Sequence, residues 1–356
     1  MIPKKLKSQF GFPALFLILI SCNDPAESPA LYSNGVFISC EGTFNASNAS
    51  VSFYSYATDS LYNNIFKTAN SRSLGDVAQS ITVYENMAFI VVNNSNKIEV
   101  VNASDFREIA TITEVSSPRY LVISNDKAYV SCWGDHSIAI IDLKSYEVIK
   151  RIPAGIGPEK MIVYDNKLFV ANTNAYDYTL DDSTLTIIDM NRDELLTNIN
   201  IGAYNPVDLE LDRLGNLWVL CRGRMNWDSF DQTPSYLVKV NPEDLKVLAS
   251  YELFADAHPA NLSINPDRDR LLYGIFFLRS GIFEVSVDDP GQGELFLDIF
   301  PYGFDIHQEK GELFVTHAAA DFVSNGTLER YSPEGNLLES YTSGINGNGI
   351  AVTIAE

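Results

Sequence analysis

The chain has 356 residues, with 46 Asp and Glu against 25 Lys and Arg and a formal net charge of −21. A surface that acidic repels nucleic acid and anionic lipid headgroups, so neither is an expected partner.

In chain order, Lys4, Lys5 and Lys7 precede the uncharged stretch "FPALFLILI" from Phe12 to Ile20, and Ser21 and Cys22 follow. This is a basic n-region, a short apolar h-region and a small residue at a cleavage point. The stretch is far shorter than the roughly 20 residues that span a bilayer, so cleavage is expected instead of a membrane helix. "LISC" resembles the lipobox of bacterial lipoproteins, which implies that Cys22 becomes the lipidated first residue of the mature protein. Residues 1–21 are then a signal peptide and residues 22–33, Cys22 and most of the stretch "NDPAESPALYSNG" that follows it, a polar tether. The acidic residues behind Cys22 resemble the surface-export signal of Bacteroidetes lipoproteins, which implies an outer-membrane, lipid-anchored protein at the cell surface. Cleavage removes three Lys and no acid, taking the formal charge from −21 to −24.

Beyond the tether, one strand recurs as apolar, aromatic, apolar: "GVFISCE", "MAFIVV", "KAYVSCW", "KLFVANT", "NLWVLCR", "LLYGIFF" and "ELFVTHA". Its aromatic stands at Phe37, Phe89, Tyr129, Phe169, Trp218, Tyr273 and Phe314, at intervals of 40 to 55 residues. Each copy continues into a β-branched strand such as "SIAIIDL" or "TLTIIDM", then a third such as "EVIKRIP". Another strand, such as "YLVISN" or "KMIVYD", precedes it. Four short strands per unit, separated by Gly, Asn, Asp and Pro, make a propeller blade, and seven units predict an all-β, seven-bladed propeller over residues 34–356. The first unit lacks its leading strand, whereas "GIAVTIAE" from Gly349 reads as that strand with nothing after it. The C-terminus is therefore expected to close the ring by joining the first blade, removing the free edge.

The stretch "AYVSCWGDHSIAIIDLKSYEVIKRIPAGIGPEKMIVYDNKLFVANTN" resembles the YVTN repeat of YncE-like seven-bladed propellers. The resemblance concerns the fold, since propellers carry many unrelated functions.

A four-strand meander puts the loop between its second and third strands on the same face as the connection entering the blade. On the other face the turns are short and charged, as in "NDK", "DNK" and "NRDE". On the first face "NTNAYDYTLDDS" and "CRGRMNWDSFDQTPS" are far longer than a hairpin needs, and they and their neighbours hold Trp133, Tyr176, Tyr178, Trp227 and Phe230 with Arg222 and Arg224. Exposed aromatics with Arg at one rim suit a binding surface. Aligned on their Pro, the connections entering the blades place Gln79, Arg119, Glu159, Val207, Ala260, Tyr302 and Asn348 around the mouth of the central channel. Gln79, Arg119, Glu159, Tyr302 and Asn348 make that mouth polar and mixed in charge, and are expected to bind ligand with the long-loop residues.

His136, His258, His307 and His317 fall in different blades with no HxH or HExxH spacing, so neither a histidine metal site nor a triad is expected, and no cofactor. Asp177, Asp181 and Asp182 offer oxygen ligands to calcium, but without the alternating Asp and Gly of a dedicated loop. Cys40, Cys132 and Cys221 each stand three residues after a blade aromatic, in blades too far apart for a disulfide, and read as buried thiols. Asp142 and Asp189, which end "IID" twice, are expected to accept hydrogen bonds in the adjoining turns.

The expected function is a lipid-anchored extracytoplasmic binding protein. Surface propeller lipoproteins of Bacteroidetes that resemble this sequence include partners of TonB-dependent receptors, and one such group captures cobalamin. The resemblance therefore implies cobalamin as the leading small-molecule ligand and a TonB-dependent outer-membrane transporter as partner. Two alternatives stand beside it. One is a lactonase-like hydrolase, for which Glu159 and Asp208 are the only carboxylates placed near the mouth. The other is a propeller that docks on another protein without a small ligand.

Overall fold

The computed structural model describes residues 31–174, 181–225, 231–276 and 279–353. Cys22, Tyr176, Asp177, Tyr178, Trp227 and Phe230 lie outside the described residues. The described chain forms seven antiparallel sheets of four strands each. Blade three shows the plan, from the innermost strand Pro118–Ser124 through Lys127–Cys132 and Ser137–Asp142 to the outermost Val148–Pro153. Every innermost strand packs against the innermost strand of the next blade, and the last against that of the second blade and the first blade's Gly35–Cys40, so the sheets ring a central channel.

The repeated aromatic sets this arrangement. In each blade it lies on the second strand, and Phe37, Phe89, Tyr129, Phe169, Trp218, Tyr273 and Phe314 are all fully buried. Their polar atoms are satisfied: Trp218 Nε1 donates to Asp212 Oδ2 at 2.9 Å, and the Tyr129 hydroxyl donates to Asp193 Oδ1 at 2.6 Å. Apolar side chains gather between blades instead of within them. Phe89, Val91 and Val100 of blade two pack with Leu121, Val130 and Ile141 of blade three, and a comparable cluster occupies each junction around the ring. A blade therefore depends on both neighbours, which makes closure decisive.

Closure takes the expected form. Strand Gly347–Val352 pairs antiparallel with Gly35–Cys40, with Val352 opposite Val36 and Ile350 opposite Ile38. The Gly35 N–H donates to the Thr353 hydroxyl at 2.7 Å and the Thr353 N–H donates back to the Gly35 carbonyl at 2.9 Å. The closing strand begins at Gly347, two residues before the expected Gly349.

One element departs from the strand pattern. A six-residue helix, Ile65–Asn70, follows the three-residue outer strand Ser60–Tyr62 of blade one and accounts for the long interval between Phe37 and Phe89. Ile65 and Phe66 bury themselves in the junction of blades one and two, and Asn70 Nδ2 holds the Phe106 carbonyl at 3.0 Å.

Cys40, Cys132 and Cys221 are free and buried, and burial pushes the Cys40 and Cys132 thiols up to about 11, which leaves them protonated and unreactive. The turn aspartates behave as expected. Asp142 Oδ1 accepts from the N–H groups of Lys144 and Ser145, and Asp189 Oδ1 from those of Asn191 and Arg192.

Candidate functional site: the channel mouth

The mouth is built where the chain turns into each innermost strand. Immediately before five of these strands the backbone is left-handed, at Val77 (φ 61), Ser117 (φ 45), Gly157 (φ 59), Asn205 (φ 56) and Asn346 (φ 53). Such a conformation costs a non-glycine residue about 1–3 kcal/mol and is least suited to β-branched Val77. A register shift follows in four blades, between Ala78 and Ser80, Pro118 and Leu121, Pro158 and Met161, and Pro206 and Asp208. Bulges of this type re-aim side chains. Here they let neighbours such as Arg119 and Tyr120, or Glu159 and Lys160, both serve the channel.

The predicted ring residues meet. Arg119 clasps Glu159 through both carboxylate oxygens, Nε to Oε2 at 3.0 Å and Nη2 to Oε1 at 2.7 Å, and its Nη1 donates to Gln79 Oε1. Gln79 Nε2 in turn reaches the Tyr120 hydroxyl at 3.3 Å. The guanidinium lies 3.9 Å from the centroid of the Trp133 ring, a cation–π stack that leaves Trp133 half-buried instead of projecting freely. Burial opposes the Arg119 charge, but the Glu159 carboxylate prevails and holds its pKa above the ordinary value. Across the mouth the Tyr302 hydroxyl donates to Glu41 Oε2 at 2.7 Å and Asn348 Nδ2 donates to Glu41 Oε1 at 2.8 Å. Burial raises the Glu41 carboxyl, against those two hydrogen bonds and the nearby Arg119 charge.

Glu41 belongs to a second ring that the Pro alignment does not reveal. Glu41, Asn93, Trp133, Thr173 and Arg222 each stand four residues after a blade aromatic. Their N–H groups donate to Asn346, Val77, Ser117, Gly157 and Asn205, the left-handed residues already named, at 2.8 to 3.1 Å. One backbone motif thus seats five side chains around the same rim. The repeat interval applied to Phe37 leads straight to Glu41.

Deeper in the channel, Lys160 pairs with Asp208 at 2.5 Å, and Asp305 accepts from the Ser263 hydroxyl at 2.7 Å. A cavity of about 150 Å³ opens here, lined among others by Ser80, Thr82, Tyr120, Lys160, Asp305 and Asn348. The expectation that Glu159 and Asp208 are the only carboxylates near the mouth is therefore corrected. Glu41, Glu210 and Asp305 join them, because alternation along blade five's inner strand brings Glu210 to the same side as Asp208. Among the described residues no group of three or more His, Cys, Asp and Glu side chains is arranged to hold a metal ion.

The Glu210 carboxyl accepts no hydrogen bond from any described residue. Burial, then the charges of Asp208 and Asp305, raise its carboxyl well above the usual range, with Lys160 and Arg268 opposing. Its folded pKa exceeds the unfolded value of about 4.3, so between the two the native state holds a proton that the unfolded chain has lost. Stability from this group is complete below about pH 4 and declines as pH rises through the folded pKa. The melting temperature is expected to fall as pH rises above about 4.3, and Glu210→Gln to flatten that slope. Differential scanning calorimetry across the range checks it, and an equally steep slope in the variant would contradict it. Glu99 and Asp212, held low by hydrogen bonds, act in the opposite sense only near and below about pH 4.

The long-loop residues divide. Arg224 is committed within the structure, to Asp181 at 2.8 Å and Asp231 at 3.1 Å, so it ties the two long loops together instead of offering a free charge. Asp182, one of the carboxylates weighed for calcium, accepts from the Ile156 and Thr184 N–H groups at 2.8 and 2.7 Å. Arg222 is exposed and has no side-chain partner among the described residues. Around the mouth-face loops Phe44, Tyr204, Phe300, Phe322 and Val323 are exposed, and Phe322 packs edge-on to Phe276 at 5.9 Å beside Tyr302.

The family described as "Domain of unknown function (DUF5074)" matches residues 34–265. No curated protein matches the chain in sequence. Among solved structures, a candidate 6-phosphogluconolactonase from Bacteroides uniformis is 13% identical, with a TM-score of 0.65 over 88% of this chain and 98% of that one. The periplasmic gluconolactonase of Pseudomonas aeruginosa is 13% identical, with a TM-score of 0.63 over 89% and 98%. A functionally unknown protein from Desulfotomaculum acetoxidans is 12% identical, with a TM-score of 0.64 over 91% and 100%. At these identities the likeness is one of fold.

Proposed function

The chain belongs to the DUF5074 family, and from that premise we propose that it is a lipid-anchored binding protein of the outer membrane, probing the cell exterior with its channel mouth. It captures a small ligand there, with cobalamin first among those to test, and passes it to a TonB-dependent transporter. The observation that carries the reading is the contrast at the mouth. Two hydrogen-bonded groups, Arg119 with Glu159 and Gln79 and Glu41 with Tyr302 and Asn348, are bordered by exposed Phe44, Tyr204, Phe300 and Phe322. Preorganised polar groups beside apolar contact area are what a small-molecule site requires. The point where the tether joins also fits: the N–H groups of Leu31 and Tyr32 donate to the Ser104 carbonyl, in a turn on the face opposite the mouth.

Calorimetric titration of residues 23–356 with cobalamin tests the reading. Trp133→Ala, which removes the ring under Arg119, is expected to weaken binding by at least tenfold, in line with the loss of a buried aromatic anchor. Absence of heat with the parent protein would retire cobalamin. A second reading, a lactonase-like hydrolase, draws on the gluconolactonase folds and on Glu41, whose carboxyl is raised by burial. Glu159 suits that role less, since Arg119 occupies both its oxygens. Hydrolysis of a gluconolactone by this chain, abolished in Glu41→Gln, would favour the enzyme.

A further inference from the structure

Resting on the reading of the mouth as a capture site, we propose that Arg222 is its anion-recognition residue, binding a carboxylate or phosphate group of the ligand.

Position comes first. Arg222 directly follows strand Leu217–Cys221; its N–H donates to the Asn205 carbonyl at 3.0 Å, and its carbonyl accepts from His258 Nδ1 at 2.7 Å. The residue is therefore pinned between the connections into blades five and six, in the same rim motif as Glu41 and Trp133. Exposed Tyr204 lies alongside, its carbonyl accepting from the Gly223 N–H at 3.1 Å.

Charge comes second. Arg119, Lys160 and Arg224 all sit in salt bridges. Arg222 sits in none, and no described side chain accepts a hydrogen bond from its guanidinium. The carboxylate whose charge acts on it is Glu159, already held through both oxygens by Arg119. Arg222 is open to solvent, and no described protein side chain neutralises its charge by direct contact. A guanidinium stays charged, and its planar fork matches a carboxylate or phosphate through two parallel hydrogen bonds. An incoming oxyanion supplies the missing partner. The aromatic rim beside it then receives the apolar body of the same ligand, which makes the substrate class a small amphipathic anion.

The test uses the full chain in detergent, with melting followed in inorganic phosphate, in acetate and in chloride at equal ionic strength. The wild type is expected to gain several degrees in phosphate or acetate over chloride, with half the effect at millimolar anion. Arg222→Gln is expected to need at least ten times more anion, and Arg222→Lys to retain part of the response. Without anion, Arg222→Gln should melt close to the wild-type temperature, because it loses no internal side-chain partner. A larger response to phosphate marks a phosphorylated ligand, and a larger one to acetate a carboxylated ligand. Equal anion responses in wild type and Arg222→Gln, or no wild-type response beyond chloride, would overturn the proposal. Should Arg222→Gln fail to fold, Arg222→Lys decides, since a response unchanged by that loss of fork geometry also overturns it. An anion response without cobalamin binding would retire cobalamin alone, whereas cobalamin binding unaffected by Arg222→Gln would retire Arg222 and leave capture standing.

Discussion

A chain ending at Asn348, without the last eight residues, is expected to lose cooperative folding altogether. The deletion removes Gly349, Ile350, Ala351 and Val352 from their pairing with Ser39, Ile38, Phe37 and Val36, and removes the Thr353 contacts to Gly35. It also strips Ile350 and Val352 from the junction between blades seven and one, where Val36, Ile38, Tyr54, Phe314 and Leu328 are buried. Each lost aliphatic side chain is worth about 1.5–3 kcal/mol and the ring opens at a raw strand edge, against a total stability of about 5–15 kcal/mol for a folded domain. Circular dichroism melting checks this. A sigmoidal transition within a few degrees of the full-length protein would show that the ring does not need its closing strand.

Arg119→Met is expected to destabilise the protein by about 3–5 kcal/mol, the usual cost of removing one partner of a buried ion pair. The Arg119 side chain is 13% exposed and that of Glu159 10%, so the variant leaves a carboxylate shielded from water with its two best donors gone. Gln79 and Trp133 each lose one of their contacts as well. The paired change Arg119→Met with Glu159→Leu is expected to recover most of that stability, because two apolar side chains replace the pair without leaving a charge behind. Chemical denaturation of both variants gives the comparison. If the double variant were as unstable as the single one, the loss would lie in the stack on Trp133 and not in the stranded carboxylate.

Much of the fold was legible in the sequence because one physical requirement recurs. Every blade must bury a large aromatic on its second strand, and Phe37 through Phe314 mark that position without exception. Closure was legible for the same reason, since a blade short of a strand at one end of the chain matched a strand short of a blade at the other. The helix Ile65–Asn70 was not, because two buried apolar residues in a polar segment leave no helical period to read. At the mouth, Pro alignment located Arg119, Glu159, Gln79, Tyr302 and Asn348, and the structure joins them into two bonded groups. Glu41 escaped because it follows a second strand instead of a connection entering a blade, so alignment on Pro does not reach it. Glu210 and Asp305 escaped because a carboxylate on a strand reads as a solvated face until the ring closes around it. The tie from Arg224 to Asp181 and Asp231 was not legible, since the three residues meet only when two loops fold together.

The account turns on the mouth being the working face, and site-directed blocking measures that directly. In residues 23–356 the native thiols, Cys40, Cys132 and Cys221, are buried, so in that fragment a maleimide polymer attaches only to an introduced cysteine. Phe44→Cys puts the label on a mouth-face loop, and Lys144→Cys puts it on an exposed turn of the opposite face. With cobalamin as the probe, the account predicts that labelling at position 44 abolishes binding, that the unlabelled variant still binds, and that labelling at position 144 has no effect. Binding that survives the label at position 44 and disappears with the label at position 144 would contradict it.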